Sequence, residues 1–205
     1  MHPNPSFRAA QRNQNLDFVR AREFGILTVN GENTPLISHI PFLLNEEGSA
    51  IELHLVRSNP IVRAAKTPID GVIGVTGPHS YVSPDWYGID DQVPTWNYVA
   101  VHLHGRLEQL EQTELLPLLN RLSDRFEGYL DKAPWKTEKV DEEALQRMLR
   151  MIVPFRFHIE DVQGTWKLNQ NKDDTVRLAA ADQVEANGIG SDLSDLATLM
   201  RNPPK

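Results

Sequence analysis

The segment LHLVRSNPIVRAAK, residues 53–66, contains the residue types of an anion-binding turn. It begins as an apolar strand and continues as a helix, for which Asn59 is the predicted N-cap and a proline the first residue. Free backbone N–H groups at a helix N-terminus attract anions, and Arg57, Ser58 and Arg63 add charge and hydrogen-bond donors. The same spacing also occurs in an ordinary capped helix with surface arginines, so spacing alone leaves both interpretations open.

A second group that could do chemistry is the pair His102 and His104 in HLHGRLE, followed by Glu108. On a β-strand these three side chains would share one face, and imidazole and carboxylate groups bind transition metals. The spacing is that of a cupin motif. The glycines that flank this motif in cupins are missing, since Trp96 and Leu115 stand in their places. A metal-dependent, cupin-like enzyme is therefore the alternative hypothesis.

Aromatic and amide side chains form a third group. SPDWY (83–87) and VPTWNY (93–98) combine prolines with paired aromatics, which suit stacking on a planar ring, a subunit contact or ordinary packing. WKLNQN (166–171) supplies a lysine and three amides that could read the edge of a heterocycle or form a polar turn. Together with the anion-binding turn, these features favour a phosphorylated planar cofactor over a bare metal. The sequence contains no glycine-rich dinucleotide or P-loop signature.

Segments rich in β-branched and apolar residues predict the strands that must position these groups, at 24–29, 36–44, 50–57, 71–77 and 97–108. A further strand or strand pair is predicted at 155–168. Helical periodicity predicts helices over 113–130 and 141–152, and a C-terminal helix that Ser191 caps. We therefore expect an α+β fold in which an antiparallel barrel carries peripheral helices. A single domain would span residues 1–205, with a helical insert at about 113–152 and a helical C-terminal tail.

The net charge, the cysteine count and the length of the apolar runs exclude or disfavour several classes of protein. The 205 residues carry a formal net charge of −7, which disfavours direct DNA binding because phosphate backbones require a basic face. The chain has no cysteine, so disulfides and zinc–thiolate sites are excluded. Its apolar runs are shorter than the ~20 residues of a membrane span, and the N-terminus has no apolar signal core. We expect a cytoplasmic protein without a membrane segment.

Five ordered motifs carry a resemblance to a known family. HIPF (39–42), HLVRSNP (54–60), GPHSYVSPDWY (77–87), VPTWNYVAVHLHG (93–105) and KLNQN (167–171) together resemble the PaiB-like FMN-binding family. The resemblance extends from the N-terminus to about residue 178. Members of this family are usually labelled negative transcriptional regulators.

The resemblance implies a split β-barrel related to pyridoxamine-phosphate oxidases, and a homodimer that binds two FMN molecules at its interface. Where related enzymes carry an Arg-Lys pair for the phosphate, this chain has Asn59-Pro60, so weaker FMN retention is expected. The implied cofactor-binding residues are Ser38, His39, Ile40 and Pro41 beside the ring, His54, Arg57, Ser58 and Asn59 at the phosphate, and Lys167, Asn169 and Gln170 from the partner subunit.

Three functions follow as hypotheses. The first is an FMN-dependent oxidoreductase, in which the cofactor does the chemistry; no catalytic residue is assigned. The second is a regulator whose effect on transcription is indirect, because the chain is acidic and lacks a recognition helix. The third is the metal-dependent enzyme built on the two histidines and the glutamate of HLHGRLE.

Overall fold

The computed structural model describes residues 1–204 and contains eight strands and six helices within that range. The strands are β1 Phe24–Val29, β2 Leu36–Pro41, β3 Leu43–Leu44, β4 Ala50–Val56, β5 Ile69–Val82, β6 Thr95–Gln109, β7 Ile152–Lys167 and β8 Ile189–Ser191. The helices are α1 Arg12–Arg22, α2 Pro60–Ala64, α3 Leu115–Glu127, α4 Glu142–Leu149, α5 Asp174–Asn187 and α6 Leu193–Arg201. Short 3-10 turns occur at Pro5–Phe7, Pro84–Tyr87, Gln112–Glu114 and Thr137–Lys139.

All six predicted strand segments are strands in the structure. The strand order is β2-β1-β5-β6-β7-β4-β3, and β8 pairs with β5 outside this path. The pairs β1/β2, β1/β5, β3/β4, β4/β7 and β5/β8 are antiparallel, as an α+β class requires. Residues on β6 alternate between buried and accessible positions, which confirms that His102, His104 and Glu108 share one face.

The chain divides into two compact units, which we describe separately. The central unit comprises Glu23–Gly74 and Leu103–Asp161. Its core contains fully buried aliphatic and aromatic side chains from β1, β2, β4, β5, β6, β7, α2 and α3. These include Leu27, Ile40, Ile51, Leu53, Ile61, Ile73, Leu103, Leu107, Leu115, Leu118, Phe155 and Phe157. Glu23 is also buried in this unit, where it accepts hydrogen bonds from Arg125 Nε at 2.6 Å and Tyr129 Oη at 2.8 Å.

The terminal unit comprises Met1–Arg22, Val75–His102 and Val162–Lys205. Its core combines strand residues with the apolar faces of α5 and α6, and includes Val82, Tyr87, Val99, Trp166, Leu168, Val176, Ala180, Val184, Leu196 and Met200. Arg177 on α5 is buried in this core, and its guanidinium donates to the carbonyl oxygens of Met200 at 2.5 Å and Arg201 at 2.9 Å. Asp174 accepts a third bond from this guanidinium at 2.6 Å.

The helices depart from the sequence expectations in several places. The predicted insert contains α3 and α4, both shorter than expected, while α1 and α5 were not predicted at all. The predicted cap of the last helix was wrong, because Asp192 rather than Ser191 precedes α6 and its side chain caps nothing. Among the described residues, no helix combines the length and apolar character that crossing a bilayer would require.

Candidate functional site

The predicted anion-binding turn lies between β4 and α2, in the central unit. Asn59 is the N-cap of α2, as predicted, and its Oδ1 accepts a hydrogen bond from the backbone N–H of Ile61 at 2.9 Å. The Nδ2 of the same side chain donates to Ser38 Oγ on β2 at 3.1 Å. One asparagine therefore connects the turn expected to hold a phosphate with the strand expected to border a ring.

The backbone N–H groups at this helix N-terminus are not free, contrary to the sequence expectation. Ile61 N–H bonds to the Asn59 side chain, Val62 N–H bonds to the Asn59 carbonyl oxygen at 3.0 Å, and Pro60 has no N–H. The helix is also only five residues long, so its dipole is small. Any affinity of the turn for an anion therefore depends on side chains.

The double role of Asn59 gives a testable prediction. Asn59→Ala removes the cap and the bond to Ser38, and we expect it to lower the free energy of unfolding by about 1–2 kcal/mol. Asn59→Ser retains a capping oxygen and should restore part of that loss. Urea unfolding of the two variants measures the difference, and equal losses for alanine and serine would contradict the capping role.

Arg57 is bound to several elements of the central unit. Its Nε donates to the carbonyl oxygen of Arg150 at 2.7 Å, and its Nη2 donates to Gln112 Oε1 at 3.0 Å and to the carbonyl oxygen of Ile152 at 3.4 Å. Within residues 1–204 the Nη1 group makes no hydrogen bond, and the side chain is exposed. Arg57 thus binds the turn to residues 112 and 150–152. Its Nη1 group leaves one pair of N–H donors for a ligand.

A cavity of about 670 Å³ opens beside this turn. It is lined by Arg57, Val62, Arg63, Lys66 and residues 109–112. None of the three basic side chains forms an ion pair with a carboxylate in the described part of the chain, although Arg63 Nη1 donates weakly to the Ser58 carbonyl oxygen at 3.4 Å. Unpaired cations in a cavity favour an anionic ligand.

His54 lies three residues before Arg57 on β4 and is partly buried. Its Nδ1 is buried and has no hydrogen-bond partner among residues 1–204. Burial lowers the pKa of His54 below its ordinary value of 6.5, which favours the neutral imidazole. A buried nitrogen without a partner is costly unless a ligand or water completes it. The donors and acceptors around the turn therefore fit a phosphorylated polyol.

The lowered pKa of His54 predicts a dependence of stability on pH. Above pH 6.5 the imidazole is neutral in both states, so its contribution to the free energy of unfolding is fully present. As the pH falls below 6.5 toward the lower pKa of the folded state, the unfolded chain binds the proton first and the contribution is lost.

We expect His54→Gln to reduce the loss of stability that the wild type shows on acidification through this range. Urea unfolding at a series of pH values measures it, and His39→Gln, at an exposed position, is the matched control. Parallel pH profiles for wild type and His54→Gln would contradict the assignment.

Strand β2 places the predicted ring-binding residues on two faces. Ser38 and Ile40 pair with Leu27 and Gly25 of β1, and these positions face the core. His39 lies on the opposite, exposed face, where its ring stacks on Phe24 with 6.3 Å between centroids. Ile37 and Pro41 share this face with His39, so the accessible surface of β2 is largely apolar.

The residues of KLNQN lie in the terminal unit. Lys167 Nζ bonds to Thr95 Oγ1, and burial lowers the pKa of this lysine. Asn169 is buried, and its Oδ1 accepts from Tyr87 Oη at 3.4 Å, while its Nδ2 has no partner in the described residues. Gln170 Oε1 accepts from the N–H of Leu168 at 2.8 Å, so this side chain stabilises the turn in which it lies. Lys167 and Asn169 keep donors that a ligand could use.

The aromatic segment forms a continuous array in the terminal unit. Tyr81 contacts Trp86 and Trp96 edge to face, with centroids 6.5 Å and 6.3 Å apart, and His79 lies 6.1 Å from Trp96. Trp96 is 47% exposed, whereas Tyr87 is buried. Trp96 is therefore accessible, Tyr87 belongs to the core, and Trp86 is partly buried against that core.

The metal hypothesis finds no support in the structure. Glu108 Oε2 lies 2.8 Å from Nε2 of His158, a partner that the sequence pattern did not indicate. Among the described residues, no cluster of three or more histidine, aspartate or glutamate side chains could hold a metal ion.

Sequence reasoning missed two residues of the cavity region. Lys66 lies three residues after Arg63, a helical spacing that could have indicated a shared face. Gln112 has no sequence signal, because its contacts with Arg57 and with the carbonyl oxygens of Leu149 and Ile152 depend on the tertiary structure.

Comparison with known proteins adds independent findings. The family model described as "Putative FMN-binding domain" matches residues 1–161. The protein named "Protease synthase and sporulation protein PAI 2" of Bacillus subtilis is 29% identical over 201 residues, covering 97% of this chain and 96% of that protein.

Two solved structures are similar in fold. The FAD and heme binding protein from Mycobacterium smegmatis superposes with a TM-score of 0.58 at 15% identity, over 90% of this chain and 82% of that one. A conserved hypothetical protein from Mycobacterium tuberculosis gives 0.56 at 15% identity, over 82% and 92% of the two chains. The predicted class, an antiparallel split β-barrel with peripheral helices, is confirmed.

Proposed function

We propose that this chain, which belongs to the FMN-binding domain family, holds its FMN at the turn 57–59 and the adjacent strand β2 and uses it for redox chemistry. The family membership confirms the predicted PaiB-like resemblance and identifies the chain as an FMN-binding flavoprotein. The observation that supports the proposed site is the bond from Asn59 Nδ2 to Ser38 Oγ, which connects the turn directly to strand β2.

Different side chains around the turn would bind the phosphate and the ribityl chain of FMN. Arg57 offers its Nη1 donors and Ser58 its exposed hydroxyl to the phosphate, while the unpaired His54 Nδ1 can bond to a hydroxyl of the ribityl chain. Three residues would act without touching the cofactor, because they fix the position of β2 relative to the turn: Ser38, Ile40 and Asn59. FMN, once bound, supplies hydride or electron transfer.

The exposed face of β2 would support the flavin ring. His39 and Pro41 lie on this face beside Phe24, and a flat apolar surface favours a planar aromatic ring. Lys167, Asn169 and Gln170 would approach the ring from the partner subunit of a homodimer. The free donors of Lys167 and Asn169 support that role, because a flavin ring presents carbonyl oxygens and nitrogens at its edge.

We further propose that any effect on transcription is indirect and that the chain acts in the cytoplasm. The densest basic segment, Lys132 to Lys139, is partly neutralised by ion pairs to Glu127 and Asp124. A net charge of −7 supports the same conclusion, since DNA binding requires a basic face. A tight, sequence-dependent gel shift at moderate salt would contradict indirect action.

Purified protein tests the proposal directly. We expect a yellow preparation whose denaturation releases FMN, identified by mass spectrometry, and whose bound flavin is bleached by a nicotinamide donor under anaerobic conditions. Size-exclusion chromatography with light scattering should give the mass of a dimer. A colourless protein that takes up no added FMN would overturn the proposal, and a bound flavin that no donor reduces would overturn its redox part.

A further inference from the structure

The cavity beside the turn has a feature that FMN binding at the turn does not require. Arg63 and Lys66 line it together with Arg57, and none of the three forms an ion pair with a carboxylate within residues 1–204. Other arginines of the central unit do have such partners: Arg121 and Arg156 bond to Glu52, and Arg125 bonds to Glu23. Three cations without a carboxylate partner therefore line this one cavity.

The local charge is opposite to that of the whole chain. Three cations and one carboxylate, Glu111, line the cavity, which leaves it with two positive charges in a chain of net charge −7. Long polyanions such as DNA would be repelled by the rest of the surface, whereas a small anion responds mainly to the nearest charges. The charge pattern therefore selects a small anion.

The size and lining of the cavity indicate more than an inorganic ion. A volume of about 670 Å³ falls within the range of roughly 300–1,000 Å³ that is typical of small-molecule sites. Val62 and Leu110 add apolar surface, and Gln109 adds an amide that could bond to the edge of a base. A ligand with a phosphate, a sugar and a base would use all of these groups.

We propose that this cavity binds a nucleoside phosphate in addition to FMN, with Arg63 and Lys66 holding its phosphate. The proposal rests on the proposed function in one respect, since it assigns the FMN phosphate to the turn and leaves the rest of the cavity for the second ligand. The nucleoside phosphate can come from two sources: half of a nicotinamide dinucleotide that reduces the flavin, or the adenosine phosphate end of FAD.

The test uses FMN-loaded full-length protein titrated with AMP by isothermal calorimetry. We expect AMP to bind with a dissociation constant of about 1 mM or tighter without displacing FMN. The double variant Arg63→Ala, Lys66→Ala should lose at least about tenfold in AMP affinity, because each lost charged hydrogen bond alone can account for that factor. FMN affinity should remain within about threefold of wild type, and Arg63→Lys, Lys66→Arg should retain AMP binding.

The matched control is Lys139→Ala, Arg147→Ala, which removes one lysine and one arginine from exposed positions elsewhere in the central unit. AMP affinity should be unchanged in this control. An equal loss in both double variants would show that net charge rather than the cavity matters, and would overturn the proposal.

Two further outcomes separate the second site from the FMN site. Displacement of FMN by AMP would show that the cavity is the FMN phosphate site, which overturns the proposal and leaves FMN binding intact. AMP binding by a protein that refuses FMN would support the cavity and overturn the proposed function. Titrations with NADH and with FAD then identify the source, since only FAD should compete with bound FMN.

Discussion

Arg57→Ala is expected to lower the affinity for FMN by roughly 10- to 150-fold, because charged hydrogen bonds are worth about 1.5–3 kcal/mol. The free Nη1 donors of Arg57 belong to a residue of the turn itself, and the helix N-terminus cannot replace them because its N–H groups are already bonded. Titration of apoprotein with FMN, followed by quenching of flavin fluorescence, measures the effect.

Arg57 also bonds to Arg150, Ile152 and Gln112, so its loss could act through structure alone. Gln112→Ala separates the two effects, since it removes one of these bonds and leaves the Nη1 donors in place. Arg106→Ala, which removes an exposed arginine paired with Asp70, controls for net charge. FMN affinity in both controls should stay close to wild type. If Arg57→Ala retains wild-type affinity, Arg57 does not contact the cofactor.

Arg177→Met is expected to lower the free energy of unfolding by about 3 kcal/mol. The change leaves the buried carbonyl oxygen of Met200 and that of Arg201 without a donor, and each unsatisfied buried group costs about 1–3 kcal/mol. Methionine keeps most of the side-chain volume, so the loss in free energy of unfolding is due to the lost hydrogen bonds rather than to a cavity.

Urea unfolding of apoprotein, monitored by tryptophan fluorescence, measures this loss. Arg147→Met removes an arginine whose side chain is 61% exposed and should change stability by less than about 0.5 kcal/mol. Asp174→Asn weakens only the exposed ion pair of Arg177 and should have an intermediate effect. A cost below about 1 kcal/mol for Arg177→Met would show that water replaces the guanidinium at these carbonyl groups.

The strands could be predicted because β-branched and apolar residues are concentrated in them and turn residues separate them. In β4 every second residue is buried, and the buried positions are the apolar residues Ile51, Leu53 and Leu55. The single long strand β7 was harder to predict, because its middle, around Glu160 and Asp161, is polar and exposed and reads as a turn between two strands.

Two helices escaped prediction for physical reasons. Helix α1, RNQNLDFVRAR, has few apolar residues, so it shows no clear stripe even though Leu16 and Val19 are buried. Helix α5 buries alanines and Arg177, small or charged residues that periodicity analysis does not count as core. Their tertiary partners, rather than their own patterns, decide which face is buried.

The candidate site was predictable only in part. The cap at Asn59 follows from local chain chemistry, and the sequence indicated it correctly. Its bond to Ser38 joins residues 21 positions apart, and the contacts of Arg57 reach residues 55 to 95 positions away. Such long-range partners depend on the arrangement of the strands and leave no local signal in the sequence. The loss of free N–H groups at α2, by contrast, is local, because Asn59 itself accepts from Ile61 and Val62.

Strand β2 stands at one end of the strand order, so backbone groups on its outer side have no strand partner within residues 1–204. Ile37 on this strand is 61% exposed. Open strand edges recruit further chains and seed precipitation. Stock solutions should accordingly turn turbid as they are concentrated, unless another chain covers this edge.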